Sequence, residues 1–519
     1  MKKIKFSFLL LSLTFFLFSC SDDMLETKPT DSVSHKELLS TTQGAQVAMN
    51  GVYRMLYTSS TDWTPDNTHQ NFGIMSTKLY TSLMGEDMVQ DALGNGWFYY
   101  DYSYDVRSRY TSENWRPYAT WNYYYQIVSN VNYILAEEEN LKLKGDPAVV
   151  DNIMAQAYTM RAYTYFILIQ TFQQTYIGHE QSPGVPLYTE PTVSTTKGKG
   201  RGTVEEVYTQ INSDLDKAIS LFSDNKNSQA HISHVDYYVA NAIKANVMMV
   251  QNKWTDAANY ATEALSKPKL QMIGQGDIYS GFNNSKMKDV MWAAEIIADQ
   301  SNIYASFFSH MDASADRYAR SSRKCIYNWL YDKIPNTDLR KKWWNGPEDG
   351  GTSDTKPYNQ VKFRYSDKSS DLGDYIFMRA EEMQLVKAEA LCRAAQYEEA
   401  KAALVELMEL RDESGYEQSL KGLTMSNELT MGSIGNPTTL LDMIILQRRI
   451  ELWGESERIF DILRMKTGFD RTAPGSNHTQ KLATMNTLQP DNKEFILTIP
   501  QKEFDSNPNM DANRDQNPM

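Results

Sequence analysis

The sequence predicts a mainly α protein in which helical hairpins carry long, irregular, aromatic-rich loops and there is little β structure. Three observations predict it. Apolar residues recur at helical spacing through much of the chain, and two hairpins repeat one frame 143 residues apart. Two stretches, about 57–118 and 274–374, lose that period and are rich in Gly, Asn, Asp, Ser and aromatic residues.

The elements follow in chain order. Residues 1–5 are basic and 6–18 are an almost unbroken apolar run. Thirteen residues of helix span about 20 Å against roughly 30 Å of bilayer core, so 1–19 read as a signal peptide and not as a membrane anchor. Leu17-Phe18-Ser19-Cys20 resembles a bacterial lipobox, which makes Cys20 the expected lipidation site. Several acyl chains there would anchor the protein where one would not. Ser21-Asp22-Asp23, completing the segment 20–23, resembles the acidic export signal of Bacteroidetes surface lipoproteins.

From Trp121 the apolar positions Tyr124, Ile127, Val128, Val131, Ile134 and Leu135 share one helix face. Gly145-Asp146-Pro147 stops this helix and starts another over about 148–172, with Asp146 as N-cap and Pro147 at N1. Thr203-Val204-Glu205-Glu206 is a capping box opening a helix to about Phe222. Hairpins are expected over 233–251 with 255–265, and over 377–394 with 397–411. In these two, Ala245, Trp254 and Ala257 recur as Ala388, Tyr397 and Ala400. Small residues at the helix crossing and an aromatic at the turn suit tetratricopeptide-like stacking. A last helical segment is expected over 440–467 and a short strand over 495–499. The organisation predicted is a region over 24–270 and a second over 271–519 that carries the loop insertion 274–374.

Composition excludes several classes of function. Hydrophobic residues make up 41% and charged residues 23%, a balance that folds rather than staying disordered. The net charge is −13, and removal of Lys2, Lys3 and Lys5 with the leader leaves 49 bases against 65 acids. Such a field repels phosphate backbones, so no nucleic acid is expected as partner. Cys20, Cys325 and Cys392 are too few for a disulfide scaffold or a multi-cysteine zinc site. No His-Glu-x-x-His, Cys-x-x-Cys, P-loop or Gly-x-Ser-x-Gly pattern is present. His231 and His234 read as polar surface residues, and Gly198-Lys199-Gly200-Arg201-Gly202 as a flexible basic connector. The Asp/Asn alternation over 505–515 lacks the Gly and Glu of an EF-hand loop.

Aromatic density is the chemical signal. Thirteen of the 29 residues from Trp97 to Tyr125 are Trp, Tyr or Phe. Sugar rings offer C–H faces that lie on aromatic planes, and their hydroxyls need polar neighbours. The candidate ligand residues are Trp97, Tyr99, Asp101 and Tyr102, with Trp63 upstream and Tyr304, Trp343 and Trp344 in the second loop stretch. The competing role for each is burial in the core.

A set of weak motifs in fixed order then resembles the SusD/RagB family over most of the chain. Arg161-Ala162 with Tyr165-Phe166, Gly184-Val185-Pro186-Leu187 and Glu206-Val207-Tyr208 with Asp214-Leu215 stand in the first part. Arg379-Ala380-Glu381, Lys387-Ala388-Glu389-Ala390 and Arg411 follow. Arg448, Glu451-Leu452, Glu455, Arg458 and Asp461-Ile462-Leu463-Arg464 precede the ending Ile499-Pro500, Asn507-Pro508 and Gln516-Asn517-Pro518. Arg449 and Ser456-Glu457 depart from the pattern.

The resemblance implies a SusD-like fold on a tetratricopeptide-like scaffold and a lipoprotein exposed on the cell outer membrane. It implies an oligosaccharide or polysaccharide ligand and a SusC-like TonB-dependent transporter as partner, while the missing motifs lead to the expectation of no cofactor, no metal and no catalysis. A peptide ligand, as in the RagB branch, a purely structural lid on the transporter and a surface glycosidase are the alternative readings.

Overall fold

A computed structural model describes residues 35–59, 68–92, 96–105, 112–226, 229–351, 353–478 and 487–518. The expectations for 1–23, Cys20 included, and for Trp63 lie outside them.

Local side-chain bonds start the long helices where the sequence placed them. The Asp146 carboxylate accepts from the Ala148 amide and Pro147 opens the helix Pro147–Phe172. Thr203 and Glu206 bond each other's backbone amides and open Val204–Phe222. These helices and Trp115–Leu135 stack side by side. The next hairpin, Tyr237–Val250 with Trp254–Leu265, lies against Ala380–Arg393, which pairs in turn with Tyr397–Arg411. Trp254–Leu265 packs directly on Ala380–Arg393, so the insertion between them is looped out of a continuous helical stack. Ala245, Ala257, Ala388 and Ala400 are all fully buried at these crossings, and the Arg393 guanidinium lies 5.0 Å from the Trp254 ring. The fold is mainly α.

Three expectations are corrected. The helix expected from Phe377 begins at Ala380, because Tyr375–Arg379 is a strand paired antiparallel with Val290–Ala294. The expected segment 440–467 is two helices, Leu440–Glu451 and Arg458–Arg464. Between them Gly454 turns with φ +77°, and a Cβ there would meet the Phe363 ring at 2.6 Å. Residues 495–499 form no strand: Phe495 closes the 3₁₀ turn Lys493–Phe495, and the Leu497 amide donates to Thr171 O instead of joining a ladder.

The family-like charged residues meet in the interior. Glu451 accepts from Arg379 and Arg411 at 2.9 Å each and from Arg340 at 3.1 Å. Arg379 also binds Glu455 at 2.6 Å. Asp461 takes Arg448 and Arg464, and Arg464 continues to Glu389. Arg161 forks onto Asp214 at 2.8 and 2.7 Å between two helices of the first stack. Arg449, which departs from the family-like pattern, binds Glu86 and Asp87 beside Arg458.

The tail is fastened to the first stack. Asn517 Nδ2–H donates to Phe172 O and Leu497 O at 2.7 Å each. Arg201 donates to Gly184 O, Asp515 O and Asn517 Oδ1. The connector read as flexible is held too: Asn507 donates to Lys199 O, and Asn507 lies where a Cβ on Gly198 would sit.

Candidate functional site

The two loop stretches are stitched together by one strand pair. Met88–Asp91 runs antiparallel to Arg323–Ile326 with Asp91 opposite Arg323, and the Arg323 guanidinium binds the Asp91 carboxylate. Antiparallel pairing places the chain leaving Asp91 beside the chain entering Arg323. Trp97 follows the first point by six residues and Tyr318 precedes the second by five, so the register brings these two rings together.

They form a cluster with His69 and Tyr304. Trp97 lies 5.5 Å from Tyr318 and 5.4 Å from His69, ring centre to ring centre. Tyr304 lies 5.3 Å from Tyr318 and stacks on His69 at 5.4 Å. A 2.6 Å hydrogen bond joins the Tyr318 hydroxyl to His69 Nδ1. Below them, His310 is fully buried, stacks on Tyr318 at 5.2 Å and bonds His69 O through Nε2 at 2.8 Å. Burial brings the His310 pKa down to about 3, so a neutral imidazole supports the cluster. The outer rings remain accessible: Tyr304 is 45% exposed, and Trp97 and Tyr318 are half-buried.

Local backbone aims these rings. Phe98 takes a left-handed conformation, φ +68°, with its amide donating to Gln70 Oε1 at 2.7 Å. Its own ring is buried edge-on to His310 at 5.0 Å, and Trp97, one residue earlier, is left on the outside. On the other stretch, Asn302 Oδ1 accepts from the amides of Tyr304 and Ala305, a turn that presents Tyr304 outward.

The remaining candidates divide differently from the expectation. Tyr99 is half-buried, edge-on to Tyr100. Asp101 is fully buried and receives both prongs of Arg116 at 2.8 Å. Tyr102 is fully buried with its hydroxyl 2.6 Å from His478 Nδ1. Trp343 and Trp344 are interior: the Trp343 indole N–H donates to Ile278 O at 2.8 Å, and Trp344 packs edge-on against Trp453. Asp101, Tyr102, Trp343 and Trp344 are thus core residues, which corrects their expected ligand contact. Their rings and charges hold the loops in place instead. His69 and Tyr318 were missed by sequence reasoning, because each stands alone in its loop and only the strand register joins them.

A family model described as "Starch-binding associating with outer membrane" matches residues 21–249, and the SusD family model matches 305–519. SusD-like protein P2 of Formosa agariphila is 24% identical over 557 residues, covering 99% of either chain. A SusD-like carbohydrate binding protein of Bacteroides vulgatus has a similar structure, with a TM-score of 0.75 and 21% identity over 91% of this chain and 97% of that one. A laminarin binding SusD-like protein aligns with a TM-score of 0.63 and 18% identity over 91% of this chain and 98% of its own.

Proposed function

This chain belongs to the SusD/RagB family, and from that premise we propose that it is a cell-surface lipoprotein that captures oligosaccharides. It holds them at the outer membrane through Cys20 and passes them to a SusC-like TonB-dependent transporter. Among the described residues no helix is long and apolar enough to cross a membrane, which is compatible with attachment by lipid. The observation that carries the reading is the junction of Trp97, Tyr304, Tyr318 and His69 from two distant loop stretches on one accessible face. Such rings stack on the C–H faces of sugars, and the His69–Tyr318 hydrogen bond fixes their relative tilt.

The reading is capture without bond cleavage. Asp101, the acid in the Trp97–Tyr102 segment, is enclosed and occupied by Arg116, so it is out of reach as a general acid. Titration calorimetry with laminarin and starch oligosaccharides tests the site. Tyr318→Ala, which removes the ring shared by Trp97 and Tyr304, is expected to weaken binding by at least about tenfold. Unchanged affinity overturns the platform, and sugar products after long incubation overturn the non-catalytic reading.

A further inference from the structure

We propose a second oligosaccharide site, in a cleft of about 670 Å³ between the helix Trp115–Leu135, the loop 192–198 and the tail helix Gln501–Ser506. The ligand class rests on the glycan reading above, but the cleft shares no lining residue with the four-ring cluster. Its volume falls within the range of small-molecule sites.

The helix supplies the floor. Tyr118, Asn122, Tyr125 and Ser129 are spaced 4, 3 and 4 residues apart, one stripe of a helix, and all four are partly exposed. Two aromatic rings therefore alternate with two polar side chains along the cleft. Seven residues separate the two tyrosines, about 10 Å along the axis, which spans about two hexose units at roughly 5 Å each. An extended glycan laid along this stripe would meet rings with its C–H faces and Asn122 and Ser129 with its hydroxyls.

The walls are built and held. The Trp121 indole N–H donates to Glu503 Oε2 at 3.1 Å, and Glu503 Oε1 accepts from Asn507 at 2.7 Å, which fixes the tail helix against the floor. Across the cleft, Thr196 Oγ1 accepts from the Val193 amide while the Thr196 amide donates to Val193 O, closing the loop on itself. Tyr125 is oriented by its hydroxyl, which donates to Pro186 O at 2.7 Å. Lys502, an exposed side chain with its ammonium 3.9 Å from the Tyr118 ring centre, covers one ring face. An exposed lysine on a flexible stem is readily displaced by a sugar, and its ammonium can then donate to hydroxyls.

The test is calorimetric titration of the purified protein with laminarihexaose and with maltohexaose, in four forms: wild type, Trp97→Ala, Tyr118→Ala/Asn122→Ala, and all three changes together. The expected result is residual binding in Trp97→Ala that falls at least about tenfold when the cleft changes are added. Tyr118→Phe, which keeps the ring, should retain that binding, and thermal melts confirm that each variant is folded. No residual binding in Trp97→Ala, or residual binding indifferent to Tyr118 and Asn122, overturns the second site. Binding unaffected by Trp97→Ala but lost with Tyr118→Ala/Asn122→Ala overturns the platform and leaves the cleft standing. A wild-type protein that binds neither sugar overturns both.

Discussion

Arg411 and Glu451 meet as a two-pronged ion pair sealed from solvent: Nε–H donates to Oε2 and Nη2–H to Oε1, each at 2.9 Å, with both side chains 0% exposed. Glu451 simultaneously serves Arg379 and Arg340. A carboxylate shared by three guanidiniums is the hub of the second half of the fold. Glu451→Gln leaves those cations facing one another without their common counter-charge. The expected loss is about 3–5 kcal/mol of folding stability, measured by denaturant unfolding.

Acid should dismantle the same interior. Burial opposes ionisation of Glu389, but the Arg464 and Arg393 guanidiniums outweigh it and hold the pKa at about 2. Glu86, beside Arg458 and Arg449, is likewise held at about 2 against its burial. In the unfolded chain such groups titrate near about 4.3. The folded state releases these protons more readily, so the stabilisation is complete above about 4.5 and disappears as pH falls toward about 2. Melting temperatures recorded from pH 6 downward should therefore drop steeply below about pH 4.5.

Asp289 works in the opposite sense. It is buried, and burial together with the nearby Glu381 carboxylate pushes its pKa up to about 8. Unfolded, it titrates near about 3.9. Between those values the folded state keeps a proton that the unfolded chain has released, so stability declines as pH rises through the window. Asp289→Asn removes this dependence. Its melting temperature should equal that of wild type near pH 4 and exceed it by several degrees at pH 8.

Two tryptophans from the two loop stretches should separate ligand contact from packing. Trp97→Ala is expected to weaken glycan binding by about 5- to 150-fold, the worth of one stacked ring, with little change in melting temperature. Trp343 is 1% exposed with its indole N–H bonded inside. Trp343→Ala is expected to cost about 3–5 kcal/mol of stability while the folded fraction still binds. Paired melts and titrations decide between the roles.

The anchor is tested in cells. Cys20→Ala should move the protein from the outer-membrane fraction to a soluble one and abolish acyl labelling. Labelled protein persisting after that change would place the lipid elsewhere.

What could be read from the sequence was what neighbouring residues settle among themselves. Asp146-Pro147 and the Thr203–Glu206 box start helices through bonds spanning two or three residues, and the structure has them at those positions. Phe377–Arg379 reads as helix in the sequence, although it belongs to the strand Tyr375–Arg379, because the partner strand, Val290–Ala294, is more than eighty residues away. The site divides along the same line. Trp97 and Tyr304 were legible as aromatics in polar loops, yet Trp343 and Trp344 carry the same signal and lie in the interior. The pairing of Asp91 with Arg323 brings Trp97 and Tyr318 together, and it is invisible in either segment alone. Arg449 looked anomalous for the same reason, its partner Asp87 being 362 residues distant.

The fastening of the tail has a consequence for timing. The helix Pro147–Phe172 ends with Phe172 O bonded to Asn517, and Gly184 O is met by Arg201, which in turn is steadied by Asp515 and Asn517. A chain emerging with its amino terminus first makes the Phe172 carbonyl 345 residues before Asn517 arrives. Until then the helix end stays uncapped and the first stack lacks one wall. Contacts of such sequence separation form slowly, so residues 507–517 supply the contacts that complete the first stack last.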